Sequence, residues 1–348
     1  MKPHLAVPTH EQGVRRPGFS RNGLALWEVA LWLLIPAIVL GFFPAYYLLA
    51  SQVATMALFA MSLDLLVGYA GIVSLGHAAF FGIGAYVAGL LAVAGWREPV
   101  TGLLMAGTLA GMAGFAISFV VVRVSHLTQL MVTLGVGLLV FEAATRMRWL
   151  TGGDDGLHGI DISPVLGLFE FDFPGRTAFV YAYVVLLACF LIFNRISRSP
   201  FGLALRGVRD NPERMAAIGT PVQARLRLAY TMAAVFAGIA GALLAQTTQF
   251  VSPDALSFHL SAEVLIMLVL GGAGYRYGGL VGAVMFILAR DLMAGISPHF
   301  WQFGVGALMV IVVLGAPGGM LGGLAALAQR RRSRLLAQRG SDLPETRP

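Results

Sequence analysis

Apolar residues run along this chain in blocks of about twenty, separated by polar turns. A block of that length crosses the hydrocarbon of a bilayer as a helix rising about 1.5 Å per residue. The pattern predicts ten such segments, at about 27–48, 52–69, 72–93, 100–122, 127–145, 177–193, 228–248, 261–270, 278–293 and 299–314. The third is glycine-rich and the eighth is short. Either could be broken or re-entrant, which leaves a range of eight to ten spans. Trp27, Trp32, Tyr46 and Tyr47 sit where aromatic side chains anchor at a membrane surface. The expected fold is all-α, a polytopic helical membrane bundle. It divides into a polar tail over 1–23, a membrane domain over 24–322 and a basic tail over 323–348. No cleavable leader is expected over 1–23, because the first apolar block starts late and is too long; an uncleaved first span is expected.

Composition supports this. The chain has 348 residues, 57% of them hydrophobic and 12% charged, with a mean hydropathy of +0.78. A soluble domain carries about 25% charged residues and could not cover so apolar a surface. The formal charge of +7 would suggest nucleic acid in a soluble protein, but here topology explains it. Nineteen of the 24 basic residues fall on one side in a ten-span layout. They are four in the leading tail, Arg123, seven in the stretch 194–227, Arg276 and six in the trailing tail. By the positive-inside rule that side is cytoplasmic and holds both termini. The break at 146–176, on the other side, is rich in acid, with Asp154, Asp155, Asp161, Glu170 and Asp172.

Lys2 is the single lysine and Cys189 the single cysteine. A phosphate-binding loop needs a lysine after its glycine-rich turn, so the chain carries none. A disulfide within the chain and a cysteine metal cluster are excluded as well. No HExxH or GxSxG motif occurs, and neither an enzyme activity nor a bound cofactor or metal is expected.

The break at 194–227 is the long charged interruption, and its hydrophilic core 195–227 must lie in water. Asp210-Asn211-Pro212-Glu213 is a helix start: Asn caps, Pro suits the first position, and an acid favours the positive end of the dipole. Gly219 is placed as the stop. The predicted helix, Pro212–Ile218, has about two turns, and Met215 and Ile218 give it a small apolar face. So short a helix is marginal alone in water. It reads either as a docking element for another protein or as an ordinary solvated loop whose arginines obey topology.

Charges inside spans are costly and are functional candidates. Asp64 and Glu263 read as structural hydrogen-bonding acids or as parts of a transport path. Glu142 could face that path or a partner subunit, and Arg290-Asp291 could neutralise each other. Around Gly71, Ser74, Gly76 and His77 a helix break is expected, with Ser74 capping a helix whose amides face the path. The competing reading is that the glycines there only let helices approach closely.

Several motifs then point to a family. SPFGLALRGVRDNPERMAAIGT (199–220) resembles the cytoplasmic coupling segment of LivM-type permease subunits in branched-chain amino acid ABC transporters. DLLVGYAGIVSLGHAAFFGIGAYVAGLL (64–91) is similar to the glycine-rich early part of that family, and TGGDDGL (151–157) to its outer-loop motif. AAVFAGIAGALLA (233–245), SAEVLIMLVLGGAG (261–274) and LGAPGGMLG (314–322) follow in family order. Gly278-Gly279 departs from it, since a Gly-Pro is expected there.

The resemblance implies a permease subunit that forms half of a translocation path in a bacterial inner membrane. It implies a homologous LivH-type permease, two cytoplasmic ATPases that hydrolyse the ATP, and a periplasmic substrate-binding protein. Arg206, Arg209, Asp210, Asn211, Glu213, Arg214, Met215, Ala217, Ile218 and Gly219 would form the ATPase-coupling surface. Gly71, Ser74, Gly76, His77 and Glu142 would belong to the path, and Asp154 and Asp155 would meet the binding protein. Branched-chain amino acids come first as substrate; urea, amides and aromatic acids stay open. The alternative is a self-contained secondary transporter or channel for a small polar solute, which would need ion-coupling charges that are sparse here.

Overall fold

The structure, a computed structural model, describes residues 26–164, 169, 175–296, 303–304, 306–307, 310–311, 314 and 318–325. Its helices are α1 (Leu26–Phe42), α2 (Tyr47–Asp64), α3 (Ala78–Val93), α4 (Pro99–Val121), α5 (His126–Arg146) and the single turn α6 (Arg148–Thr151). They continue as α7 (Arg176–Arg198), α8 (Pro200–Asp210), α9 (Pro212–Ala217), α10 (Val222–Thr248), α11 (Phe258–Gly271) and α12 (Gly278–Ile296). Among the described residues six segments are long and apolar enough to cross a membrane: Pro44–Ala70, Pro99–Val121, His126–Arg146, Arg176–Arg198, Val222–Thr248 and Gly278–Gly295. Trp27–Phe42, Ala78–Val93 and Phe258–Gly271 are shorter apolar helices. These nine match the first nine expected segments. The tenth falls largely outside the described residues, as do the tail at 1–23 and most of the tail at 323–348.

Helix ends depart from the hydropathy pattern for a physical reason: a helix continues into water as long as its backbone bonds are made. So α7 runs on to Arg198, and α10 begins at Val222, six residues before the expected span. The break at 194–227 is therefore helical over most of its length. The third segment is broken, with an irregular stretch over 71–77 followed by a helix of only 16 residues.

The centre of the bundle is the buried α2, α3 and α10. The last two cross at Gly84, whose place a Cβ would fill 2.0 Å from the Gly238 carbonyl. No side chain fits such a crossing, which is how small residues bring membrane helices together. On the bundle's edge, α1 contains Pro36, which has no N–H for the Trp32 carbonyl four residues back. The Tyr183 hydroxyl of α7 donates to that carbonyl at 2.7 Å. Trp32 itself packs on Phe190, with ring centres 4.9 Å apart. At the end of the bundle holding the α3–α4 turn, Glu98 caps α4 by accepting from the Thr101 N–H at 2.7 Å. Hydrogen bonds from Thr101 hold the Glu98 carboxyl below its ordinary value.

Candidate functional site

The coupling segment consists of two helices. The Ser199 hydroxyl accepts from the Gly202 N–H to start α8, with Pro200 at its first position. Gly202, Leu205 and Val208 form the buried face of α8. α9 follows after one residue. The Asn211 side chain accepts from the Arg214 N–H at 2.8 Å, Pro212 holds the first position, and Gly219 takes φ +85° just past the end. No residue of α9 is buried. The expected pairing of Met215 with Ile218 on one face does not hold. Met215 turns back against Gly207 of α8, while Ile218 is 70% exposed. Glu213, Arg214 and Ala217 are exposed with it.

Arg206 and Arg209 point the other way, into the bundle. The Arg206 guanidinium lies 4.6 Å from the centre of the Tyr69 ring, and that ring meets Phe193 edge-on at 5.6 Å. Arg209 donates through Nη1 to the Gly68 carbonyl and pairs through Nη2 with Asp210 at 3.2 Å. Gly68 belongs to the π-turn Leu65–Ala70 that closes α2, and Gly71 ends it in the left-handed region at φ +75°. The last carbonyls of a helix have no partner within it, and a cation there also suits the helix dipole. Arg209 meets both needs from another part of the chain.

A second tie holds the same place. Asp64, 1% exposed, accepts from the Gly274 N–H at 2.7 Å, in the turn between α11 and α12. In that turn Arg276 pairs with Glu28 of α1 at 2.8 Å, with both side chains largely buried. One end of the bundle thus gathers α1, the end of α2, α8 and the α11–α12 turn around Asp64 and Gly68. Gly279, in the first turn of α12, faces the α2 backbone so closely that a Cβ would lie 2.8 Å from the Met61 nitrogen. This is a local reason for glycine in a place where proline was expected.

From Gly71 the chain runs irregularly to His77. The Leu75 N–H donates to Thr133 Oγ1 on α5 at 3.2 Å, and Gly76 lies against Gly137. Gly137 is eleven residues into α5, roughly 16 Å along its axis. Irregular backbone at such depth persists where protein or a water-filled cavity surrounds it. Ser74 is buried but does not cap α3, contrary to expectation. The Ala78 N–H is instead accepted by Ser261 Oγ of α11 at 2.9 Å. His77 is buried as well, stacked on Phe59 at 5.5 Å. Ser62 spends its proton on the Phe59 carbonyl at 2.6 Å, so its oxygen accepts from His77 Nε2–H at 2.8 Å. His77 Nδ1 is then a bare acceptor, with no hydrogen-bond partner among the described residues.

A cleft of about 720 Å³ opens beneath this stretch. Gly71 and Ile72 form one wall, Ser125 with His126 and Gln129 at the start of α5 another, and Arg209 with Glu213 a third. The cleft joins Gly71 to the coupling residues. His77 and Ser74 lie outside its lining, and so does Glu142. Glu142 is on the exposed side of α5, paired with Arg146 at 2.5 Å, beside the exposed Leu138 and Leu139. Glu263 pairs with His259 at 3.3 Å when that histidine is protonated.

At the opposite end from the coupling segment, TGGDDGL folds as a rigid corner. The Thr151 hydroxyl donates to the Ala144 carbonyl at 2.5 Å, and Gly152, Gly153 and Gly156 all have positive φ. Leu157 pairs with Val251 in an antiparallel bridge. Asp154 and Asp155 are exposed at the tip, and Asp154 lies 3.5 Å from Arg148.

Helix α8 and the ties through Gly274 and Arg276 were missed by sequence reasoning. For α8 a signal existed: Ser199-Pro200 is a cap with proline, and Phe201, Leu205 and Val208 recur at helical spacing. For the ties no local signal exists, since the partners are 210 and 248 residues apart.

Comparison with known proteins bears on this geometry. The profile of the family described as "Branched-chain amino acid transport system / permease component" matches residues 46–313. The high-affinity branched-chain amino acid transport system permease protein LivM of Escherichia coli (strain K12) is 31% identical over 282 residues, 75% of this chain and 66% of that protein. LivH of the same strain is 23% identical over 296 residues, 77% of this chain and 92% of that protein. The fructose import permease protein FrcC of Rhizobium meliloti is 26% identical over 312 residues, 84% of each. The chain spans about two thirds of the length of the LivM protein of that Escherichia coli strain. No solved structure matches it.

Proposed function

The chain belongs to the branched-chain amino acid transport permease family, and from that premise we propose that it is the LivM-type half of an ABC importer's membrane path. Its partners in this reading are a LivH-type permease, two cytoplasmic ATPases and a periplasmic substrate-binding protein. The chain is a multi-pass membrane protein, placed by this reading in a bacterial inner membrane with both termini and α8–α9 on the cytoplasmic side. It carries out no chemical step and holds no cofactor; ATP is bound and hydrolysed by its partners. The cargo is a branched-chain amino acid.

The observation that carries the reading is α9: a capped helix of six residues with none buried, presented on the tethered platform of α8. A helix of that length does not pay its own ordering cost in water, so a docking partner accounts for its caps. At the opposite end, exposed Asp154 and Asp155 offer acids to a basic rim on the binding protein. The exposed α5 face, with Leu138, Leu139 and the Glu142–Arg146 pair, fits the second permease.

Purification through a tag on this chain tests the reading. Two ATPases and a second permease should accompany it, and vesicles holding the assembly should take up leucine, isoleucine or valine only with ATP and the cognate binding protein. Uptake by the lone chain along an ion gradient would establish the secondary-transporter alternative instead.

A further inference from the structure

We propose that Arg209 is the positioning residue through which the coupling segment moves the membrane interior. It links α8 to the carboxyl end of α2, and through Gly71 to the irregular wall beside α5. The inference rests on the importer reading above. Four observations carry it.

First, Arg209 reaches inward. Its guanidinium is on the Gly68 carbonyl, and its side chain is only 23% exposed. A residue on the segment that contacts an ATPase would be expected to face outward, as Glu213 and Arg214 do. Second, the carbonyl it holds belongs to a π-turn. Such turns are uncommon and occur frequently at functional sites. Third, Gly71 lies directly against Arg209, with space for a Cβ only 2.7 Å from Arg209 Cγ, and its φ of +75° makes it the pivot where the chain leaves the helix. From that pivot five residues reach Gly76, a span of up to roughly 17 Å when extended. That matches the depth of roughly 16 Å at which Gly76 meets Gly137 on α5. Fourth, the cleft between α9, the α4–α5 turn and Gly71 leaves Gly71 and Ile72, where the stretch begins, room to move.

The link is specific in its chemistry. A charge-assisted bond to a helix-end carbonyl fixes direction as well as distance, because the guanidinium is planar. Arg206, over the Tyr69 ring one residue along the π-turn, keeps α8 from sliding. When α8 and α9 shift with the ATPases, Gly68 and Gly71 must follow. The stretch to His77 then changes its contact with Thr133 and Gly137. Such a transmission element needs two arrangements that nucleotide biases differently.

The test uses the whole assembly in vesicles, with Cys189→Ser and Ser74→Cys introduced as a single reporter. In the parent assembly, maleimide labelling of position 74 should differ between the nucleotide-free and the ATP–vanadate states. Arg209→Ala should abolish that difference while the ATPases still co-purify and hydrolyse ATP. Leucine imported per ATP should fall roughly tenfold, within the usual span of coupling energies. Arg209→Lys should restore part of both signals. Gly71→Ala, which presses on Arg209 from the opposite side, should reproduce the loss if the Arg209→Ala chain fails to fold and reach the membrane. Loss of the ATPases from the Arg209→Ala assembly would make Arg209 a docking residue and overturn the proposal. So would nucleotide-dependent labelling that persists unchanged in Arg209→Ala, or labelling that never depends on nucleotide in the parent. An assembly whose labelling responds to nucleotide through Arg209 but which imports no branched-chain amino acid would sink only the substrate assignment.

Discussion

The two helices of the charged segment are neighbours in sequence and opposites in construction. α8 is held by tertiary contacts: Leu205 and Val208 are buried, and Arg206 and Arg209 reach into the bundle. α9 is held by its own ends, with Asn211 at one and Gly219 at the other, and buries nothing. Arginines occur in both, Arg206 and Arg209 in α8 and Arg214 in α9, so their presence does not separate the two. Their difference teaches that the segment has two jobs. A surface that must meet another protein is best closed locally, so that it stays folded whatever its neighbours do. A lever must be fastened to what it moves.

The largest expected effect falls on α8. Leu205→Ala removes a side chain with no exposed surface, beside the tie to Gly68. Truncations of this kind cost about 3 kcal/mol. The purified chain should show a clear loss of thermal stability in detergent. A negligible loss would mean that α8 is no better fastened than α9, and the contrast would collapse.

That contrast also marks what the sequence made legible. The nine apolar helices were readable because long apolar runs have few other uses, although three of them are shorter than a full span. α9 was readable because capping is local: Asn211, Pro212 and Gly219 lie within nine residues. Arg206 and Arg209 were seen as candidates but assigned to a surface, since an arginine in a hydrophilic break reads as solvated. Their direction depends on where Gly68 and Tyr69 arrive in space. The same holds for Asp64, whose partner is a backbone N–H on Gly274, and for Ser261, which caps α3 from a different helix. No spacing rule encodes a bond to the backbone of a distant turn. The break at 71–77 was legible as a break, but not its packing on α5.

An intermediate effect is expected at the cap of α9. Asn211→Ala leaves the Arg214 N–H to water and should cost the helix about 1 kcal/mol. Because α9 supports nothing else, global stability should barely change. The measurable loss should be in retention of the ATPases during purification. Equal retention would indicate that a frayed α9 binds as well as a formed one.

A smaller stability effect, paired with a large functional one, is expected at Ile218. It is 70% exposed, and Ile218→Ala should alter thermal stability by less than about 0.5 kcal/mol. ATP-driven uptake should nevertheless fall, because an exposed apolar side chain at the tip of α9 is available to a groove on an ATPase. Unchanged uptake would assign docking to Glu213 and Arg214 alone.

The smallest effect tests the joint between the two helices. A Cβ on Gly207 would lie 2.7 Å from the Met215 sulfur, which is the far end of a flexible side chain rather than backbone. Methionine adapts readily, so Gly207→Ala should cost well under about 1 kcal/mol, partly offset by the gain of alanine over glycine within a helix. The substitution nevertheless wedges α9 away from α8. If the joint transmits motion as a rigid corner, leucine imported per ATP should drop while stability and ATPase retention hold. If import per ATP is unchanged, the α8–α9 corner is a loose hinge. The pull on Gly68 would then have to enter α8 through its own contact with the ATPase.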